Sequence, residues 1–157
     1  MVNKLFLDNC YISNIQNEIN NLDFQYVAQD NLYEDSIFQY VHCVHYDGTP
    51  LVNPILEVAK KTLDIKWATR IKVNKLLPQK VSEEQVQHLW HQDKVEKGYI
   101  SLIYYVNNSD GDTIVGSYKN TPKAGEMIYF DSDIFHRPSL PTKNERVIIN
   151  FIFEKNK

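Results

Sequence analysis

The sequence predicts an α+β fold, mostly β, in which a helical front half supports a rolled antiparallel sheet able to enclose a ligand. Three observations predict it. Residues 66–157 read as six or more short alternating segments separated by turn residues. Residues 1–65 hold two segments whose apolar positions recur at helical spacing. Four polar residues whose chemistry requires them to meet, His91, Asp93, His136 and Arg146, are spread along the chain, as a barrel or jelly roll allows.

In order along the chain, residues 11–22 carry Ile12, Ile15, Ile19 and Leu22, one stripe of a helix. Residues 24–28 and 37–46 alternate as strands, and Asp47-Gly48 then makes a turn. Pro54 suits the first turn of a helix running to about residue 63, with Ile55, Val58, Ala59 and Thr62 on one side. Residues 67–77 alternate and stop at Pro78. A polar loop, residues 79–87, leads into His88-Leu89-Trp90-His91-Gln92-Asp93. Residues 98–107 form a strand rich in Ile and Tyr, and residues 108–112 a turn. Strands follow over 113–118, 126–131 and 145–153.

The chain of 157 residues is long enough for one core and too short for two, so residues 1–157 are expected to be a single domain, 1–65 supporting and 66–157 forming the β core. A hydrophobic fraction of 43%, with ten Tyr and seven Phe, belongs to an ordered chain rather than a disordered one. A net charge of -3 provides no general field for nucleic acid or anionic membrane, although 17 Lys and Arg leave room for a local basic groove. Cys10 and Cys43 are too few for a disulfide framework and lack C-x-x-C spacing; they read as buried small residues of a reduced cytosolic protein. The opening apolar run, Leu5-Phe6-Leu7, is shorter than a signal peptide requires, and no stretch approaches the roughly 18 apolar residues of a membrane span. A soluble, cytoplasmic protein is expected.

The chemistry is concentrated in His91, Asp93, His136 and Arg146. Side chains of a strand alternate, so His91 and Asp93 point one way and Gln92 the other. His136 follows a strand and the loop 131–135, so it can arrive from a facing sheet. Two imidazoles and a carboxylate bind Fe(II) and leave three octahedral positions open, two for a 2-oxo acid and one for O2. Arg146 opens the last strand, sharing its face with Ile148 and Asn150, while Val147, Ile149, Phe151 and Phe153 make the apolar face. A guanidinium pointing into such an interior is costly unless an anion meets it, and the far carboxylate of 2-oxoglutarate is suited to that place. Taken singly, an H-x-D, a loop histidine or an arginine near a strand start is commonplace; the ordered set is what carries the reading.

These residues, with Leu102-Ile103-Tyr104-Tyr105-Val106-Asn107, Asp110-Gly111-Asp112-Thr113, the run from Pro122-Lys123-Ala124-Gly125-Glu126 through Met127-Ile128-Tyr129-Phe130, and Arg146-Val147-Ile148-Ile149-Asn150-Phe151, resemble the Fe(II)/2-oxoglutarate-dependent oxygenase superfamily, in particular its small prolyl-4-hydroxylase-like members. The resemblance covers roughly residues 70–153. It implies a double-stranded β-helix core (jelly-roll, cupin-like) with flanking N-terminal helices. It implies His91, Asp93 and His136 as metal ligands, Arg146 as the grip on the co-substrate's far carboxylate, Tyr105 as a hydroxyl bonding that carboxylate, and Asn74 as a further co-substrate contact. It implies Fe(II), with 2-oxoglutarate and O2 as co-substrates and ascorbate as an additional expected cofactor. The sequence departs from the pattern twice: Gly111-Asp112 stands where many relatives have Gly-Gly, and Ile148 stands where some have a serine. Asp93 is the carboxylate that related halogenases lack, so hydroxylation is the implied reaction, with peptidyl proline, another protein side chain or a small molecule as substrate.

Outside this set the signals are weak. His42 and His45 should face opposite sides of a strand, His88 lies in the loop before the site, and Trp90 points away from the metal as a packing residue. No G-x-G-x-x-G or Walker-type loop occurs, and no serine or cysteine has a nucleophile's context. The competing readings are a non-catalytic jelly-roll binding module and a cupin-type metal enzyme that uses no 2-oxo acid.

Overall fold

In the computed structural model, residues 1–29, 37–44, 51–80, 82 and 89–156 are described. Among them run β1 (Asn3–Phe6), α1 (Asn9–Asn20), β2 (Gln25–Gln29), β3 (Ile37–Cys43), α2 (Asn53–Thr62), β4 (Ile65–Leu76), β5 (Tyr99–Tyr105), β6 (Thr113–Val115), β7 (Tyr118–Asn120), β8 (Glu126–Asp131), β9 (His136–Pro138) and β10 (Arg146–Lys155). Two antiparallel sheets result, a seven-stranded one in the order β1-β8-β5-β10-β4-β3-β2 and a three-stranded one in the order β7-β6-β9. The second half of the chain passes back and forth between them, as the double-stranded β-helix requires.

Strand alternation gives the large sheet two chemically different faces. Val147, Ile149, Phe151 and Phe153 of β10, Ile71 and Val73 of β4, and Leu102 and Tyr104 of β5 join one core with Ile15 and Ile19 of α1 and Ile55, Leu56 and Ala59 of α2. Each fully buried Leu, Ile or Phe stabilises this layer by about 1.5–3 kcal/mol. The helices thus cover one face. The opposite face carries Arg146, Ile148 and Asn150 of β10, Arg70, Lys72, Asn74 and Leu76 of β4, and Ile103 of β5 around a cavity of about 170 Å³. Register aligns these residues in rows across the sheet: Asn74–Ile148–Tyr105, Lys72–Asn150–Ile103 and Arg70–Ile152–Ser101.

The helices lie close to their expected places. Asp8 caps α1 by accepting the Cys10 amide, which starts the helix two residues before the expected segment 11–22. α2 has Pro at its first turn as expected, but Thr62 is exposed and bonds back to the Val58 carbonyl instead of packing. β2 and β3 fall on the segments that alternate at 24–28 and 37–46, β1 is an additional strand, and all three join the large sheet, so the front half supplies sheet as well as helix. The expected strand over 113–118 is two strands: Gly116 adopts φ 55 and reverses the chain between β6 and β7. Cys10 and Cys43 are exposed rather than buried, since Cys10 lies in the first turn of α1 away from its apolar stripe. The Asp47-Gly48 turn, His45, His88 and most of the loop 79–87 lie outside the described residues. No helix among the described residues is long and apolar enough to cross a membrane.

Candidate metal and co-substrate site

The segment carrying His91 and Asp93 is not the regular strand its alternation suggests. Only one isolated bridge, His91 to His136, holds it to the small sheet, and Gln92 also lines the cavity. That bridge is nevertheless decisive. The His91 amide donates to the His136 carbonyl at 3.0 Å and the His136 amide returns a bond to the His91 carbonyl at 2.9 Å. The two imidazoles therefore sit side by side, with ring centroids 4.3 Å apart. With Asp93 they form a group whose ligand atoms all lie within 4.8 Å of one another.

Each imidazole is oriented by its own backbone. Nδ1 of His91 donates to the Leu89 carbonyl at 2.8 Å, and Nδ1 of His136 to the Ile134 carbonyl at 3.0 Å. A carbonyl can only accept, so both protons lie on Nδ1 and both Nε2 lone pairs are free to bind a metal. His136 packs edge-on against Phe130 and is 3% exposed. Burial, then the neighbouring His91, lowers its pKa to about 4, so it is neutral and ligand-competent at neutral pH.

Asp93 is held from three strands. Arg70 on β4 donates to Oδ1 at 2.6 Å, Ser101 on β5 to Oδ2 at 2.7 Å, and the Asn150 amide on β10 to both oxygens at 3.3 and 3.2 Å. Oδ2 lies 3.6 Å from Nε2 of His136. Burial pushes the Asp93 pKa up, but His136, Ser101, Arg70 and Asn150 together outweigh it and hold the carboxyl below its ordinary value. A deprotonated carboxylate beside two free imidazole lone pairs is a donor set suited to Fe(II), Mn(II) or Ni(II).

At the other end of the cavity Arg146 is 3% exposed. Its Nε donates to the Gly111 carbonyl at 3.0 Å and its Nη2 to Thr113 Oγ1 at 2.6 Å. It meets no carboxylate within ion-pair distance among the described residues, and burial lowers the pKa of its guanidinium. The backbone makes room for it: a Cβ on Gly111 would stand 3.0 Å from Arg146 Cδ, the Pro141 nitrogen and the Ser139 carbonyl oxygen. Tyr105, expected to reach a carboxylate itself, instead donates to Thr113 Oγ1 at 2.8 Å and does not line the cavity. Burial raises the Tyr105 pKa to about 12, so its proton stays in that bond. Asn74 does line the cavity, and its Oδ1 is buried without a hydrogen-bond partner.

The structure thus brings His91, Asp93, His136, Asn74 and Arg146 to one cavity and leaves Tyr105 one hydrogen bond behind it, through Thr113. Sequence reasoning assigned no role to Arg70, Ser101 or Thr113. The only signal for Ser101 was its alternation with Ile103 and Tyr105 on the inward face. Trp90 stacks under the Arg137 guanidinium, 5.2 Å from ring centroid to carbon. His42 is turned to the Asp23 carbonyl and takes no part.

Solved structures of 2-oxoglutarate-Fe(II) oxygenases share this fold. A 2OG-Fe(II) oxygenase family oxidoreductase from Burkholderia pseudomallei superimposes with a TM-score of 0.73 at 16% identity, covering 99% of this chain and 86% of that one. A Pseudomonas putida prolyl-4-hydroxylase gives 0.67 at 12% identity, with 99% and 93% covered. HygX from Streptomyces hygroscopicus, with nickel and 2-oxoglutarate bound, gives 0.67 at 10% identity, with 99% and 83% covered. No family model and no curated protein matches the chain.

Proposed function

We propose that this protein is an Fe(II)- and 2-oxoglutarate-dependent dioxygenase that hydroxylates a C–H bond of its substrate. His91, Asp93 and His136 would hold the iron, and Arg146 the distal carboxylate of 2-oxoglutarate. The observation that carries the proposal is the Arg146 guanidinium, buried with no ion-paired carboxylate among the described residues, in the cavity that His91, Asp93 and His136 also line. Burying an unpaired cation costs several kcal/mol, and a dicarboxylate whose other end is a metal chelator offsets that cost. Asn74, with its unpartnered Oδ1, and Thr113 complete the polar lining around that ligand.

Bound iron supplies activation of O2, and the overall reaction converts 2-oxoglutarate, O2 and R–H into succinate, CO2 and R–OH. The chain's own residues supply geometry and charge. The paired backbone bonds between His91 and His136 fix the imidazoles, while Arg70, Ser101 and Asn150 fix the carboxylate. Ile103 and Ile148 supply an apolar patch in an otherwise polar lining, against which a substrate C–H group could rest.

Iron-loaded protein incubated with carboxyl-labelled 2-oxoglutarate should release labelled CO2, and His136→Ala should abolish the release. Absence of any metal-dependent 2-oxoglutarate binding by the wild-type chain would refute the proposal.

A further inference from the structure

The cavity walls carry more positive charge than iron and 2-oxoglutarate use. Four cations line it, Arg70, Lys72, Arg137 and Arg146, against one carboxylate, Asp93. Arg70 is committed to Asp93, and Arg146 stands at the far end. An Fe(II) ion adds two positive charges and the 2-oxoglutarate dianion removes two, so the excess of cations over anions on the walls survives loading. Two cations account for most of it. Lys72 projects from β4 opposite Asn150, whose amide bonds Asp93, so it stands at the metal's level of the sheet rather than at Arg146's. It is half-buried and has no carboxylate partner among the described residues. Arg137 comes from β9 on the opposite sheet, and its Nε is buried without a hydrogen-bond partner. Among the described residues, its guanidinium bonds the Pro138 carbonyl at 3.3 Å and lies over the Trp90 ring.

We propose, resting on the oxygenase reading above, that the primary substrate is a small organic anion whose carboxylate or phosphate group is held by Lys72, with Arg137 facing it from the other sheet. This sets the substrate's charged end beside the metal and orients the C–H bond to be attacked. Two ammonium or guanidinium groups on facing walls attract an anion from solution and discriminate against neutral or cationic analogues. Burial and the neighbouring Arg70 both pull the Lys72 pKa below its ordinary value, and a bound anion would relieve both effects.

The test uses the full chain loaded with Mn(II) and 2-oxoglutarate and titrates it calorimetrically, at fixed chloride, with acetate and separately with methyl phosphate. Saturable binding of either probe is expected, acetate pointing to a carboxylate substrate and methyl phosphate to a phosphate monoester. Lys72→Gln should weaken that binding by about tenfold or more, Lys72→Arg should keep it within about threefold, and both variants should take up 2-oxoglutarate as the wild type does. The inference is overturned if neither probe saturates below about 50 mM. It is also overturned if Lys72→Gln binds the probe as well as wild type, or if Lys72→Gln loses 2-oxoglutarate instead, which would place the lysine in the co-substrate site. The two failures separate cleanly. Wild-type protein that takes up no 2-oxoglutarate defeats the oxygenase reading, whereas protein that takes it up and ignores both anions defeats only this one.

Discussion

Replacing Arg146 by methionine tests the proposed co-substrate site most directly. The guanidinium makes two bonds, to the Gly111 carbonyl and to Thr113 Oγ1. In the ligand-free protein their loss leaves the Gly111 carbonyl unpaired, at about 1–3 kcal/mol, while Thr113 keeps its bond from Tyr105. Against this stands relief of a buried cation that has no anion, a term of similar size and opposite sign. The metal- and ligand-free Tm of Arg146→Met should therefore stay within about 5 °C of wild type. Binding is affected differently, because the distal carboxylate would then be buried alone. Breaking a buried pair from one side costs about 3–5 kcal/mol, which weakens 2-oxoglutarate binding by about two to three and a half orders of magnitude. At a 2-oxoglutarate concentration about 100-fold above the wild-type Kd, the Mn(II)-loaded wild type gains about 2.7 kcal/mol, or roughly 5–11 °C in Tm. The variant should gain about 1 °C or less. Calorimetric titration gives the Kd values directly. If Arg146→Met binds 2-oxoglutarate within about threefold of wild type, the assignment of the carboxylate to this guanidinium is wrong.

Further outcomes follow from the same geometry. Arg70→Met removes the 2.6 Å bond to Asp93 and should lower metal affinity by about 10- to 100-fold while leaving the Arg146 end intact, as read by Mn(II) titration. Gly111→Ala puts a methyl 3.0 Å from two backbone atoms and from Arg146 Cδ; thermal unfolding should show a loss of about 1–3 kcal/mol, and 2-oxoglutarate binding should weaken with it. The buried neutral His136, with its pKa lowered to about 4, makes the metal-free protein acid-sensitive. Below its ordinary value of 6.5 the unfolded chain takes up a proton that the folded chain refuses until about 4. Stability is therefore full above pH 6.5 and falls by about 3 kcal/mol between pH 6.5 and 4. Denaturant melts at pH 7 and 4.5 check this, and His136→Phe should flatten the dependence.

How far the sequence revealed this arrangement depended on the range of the interaction. Period-two alternation is local, so β4, β5, β8 and β10 were legible, as was the split of β10 into a polar face with Arg146 and Asn150 and an apolar one with Val147 to Phe153. The residue types of the triad were legible because few side chains bind metal and the ordered set narrows them further. The support of Asp93 was not. It depends on Arg70 and Ser101 standing on either side of Ile152 across three strands, a register that only sheet assembly sets. The hydroxyl of Tyr105 stops at Thr113, whose position depends on the small sheet and is not visible in local alternation. The two-residue turn Gly116-Ser117 interrupts an alternation that otherwise runs continuously from 113 to 118, so periodicity alone does not separate β6 from β7. β1 is four residues long at the sheet edge, too short for periodicity to register.

The reciprocal amide bonds that tie His91 to His136 give the proposed metal site a lopsided mechanical character. Two of its three jaws are clamped together by main chain and are already in place before an ion arrives, so capture requires little rearrangement from them. The third, Asp93, sits in an irregular segment between the His91 bridge and the Lys94 amide bond to the Ser132 carbonyl, and its carboxylate is steadied by side chains. If the proposed site takes up an ion, the carboxylate is the ligand whose placement rests on side chains, those of Arg70, Ser101 and Asn150 reaching in from three strands of the large sheet.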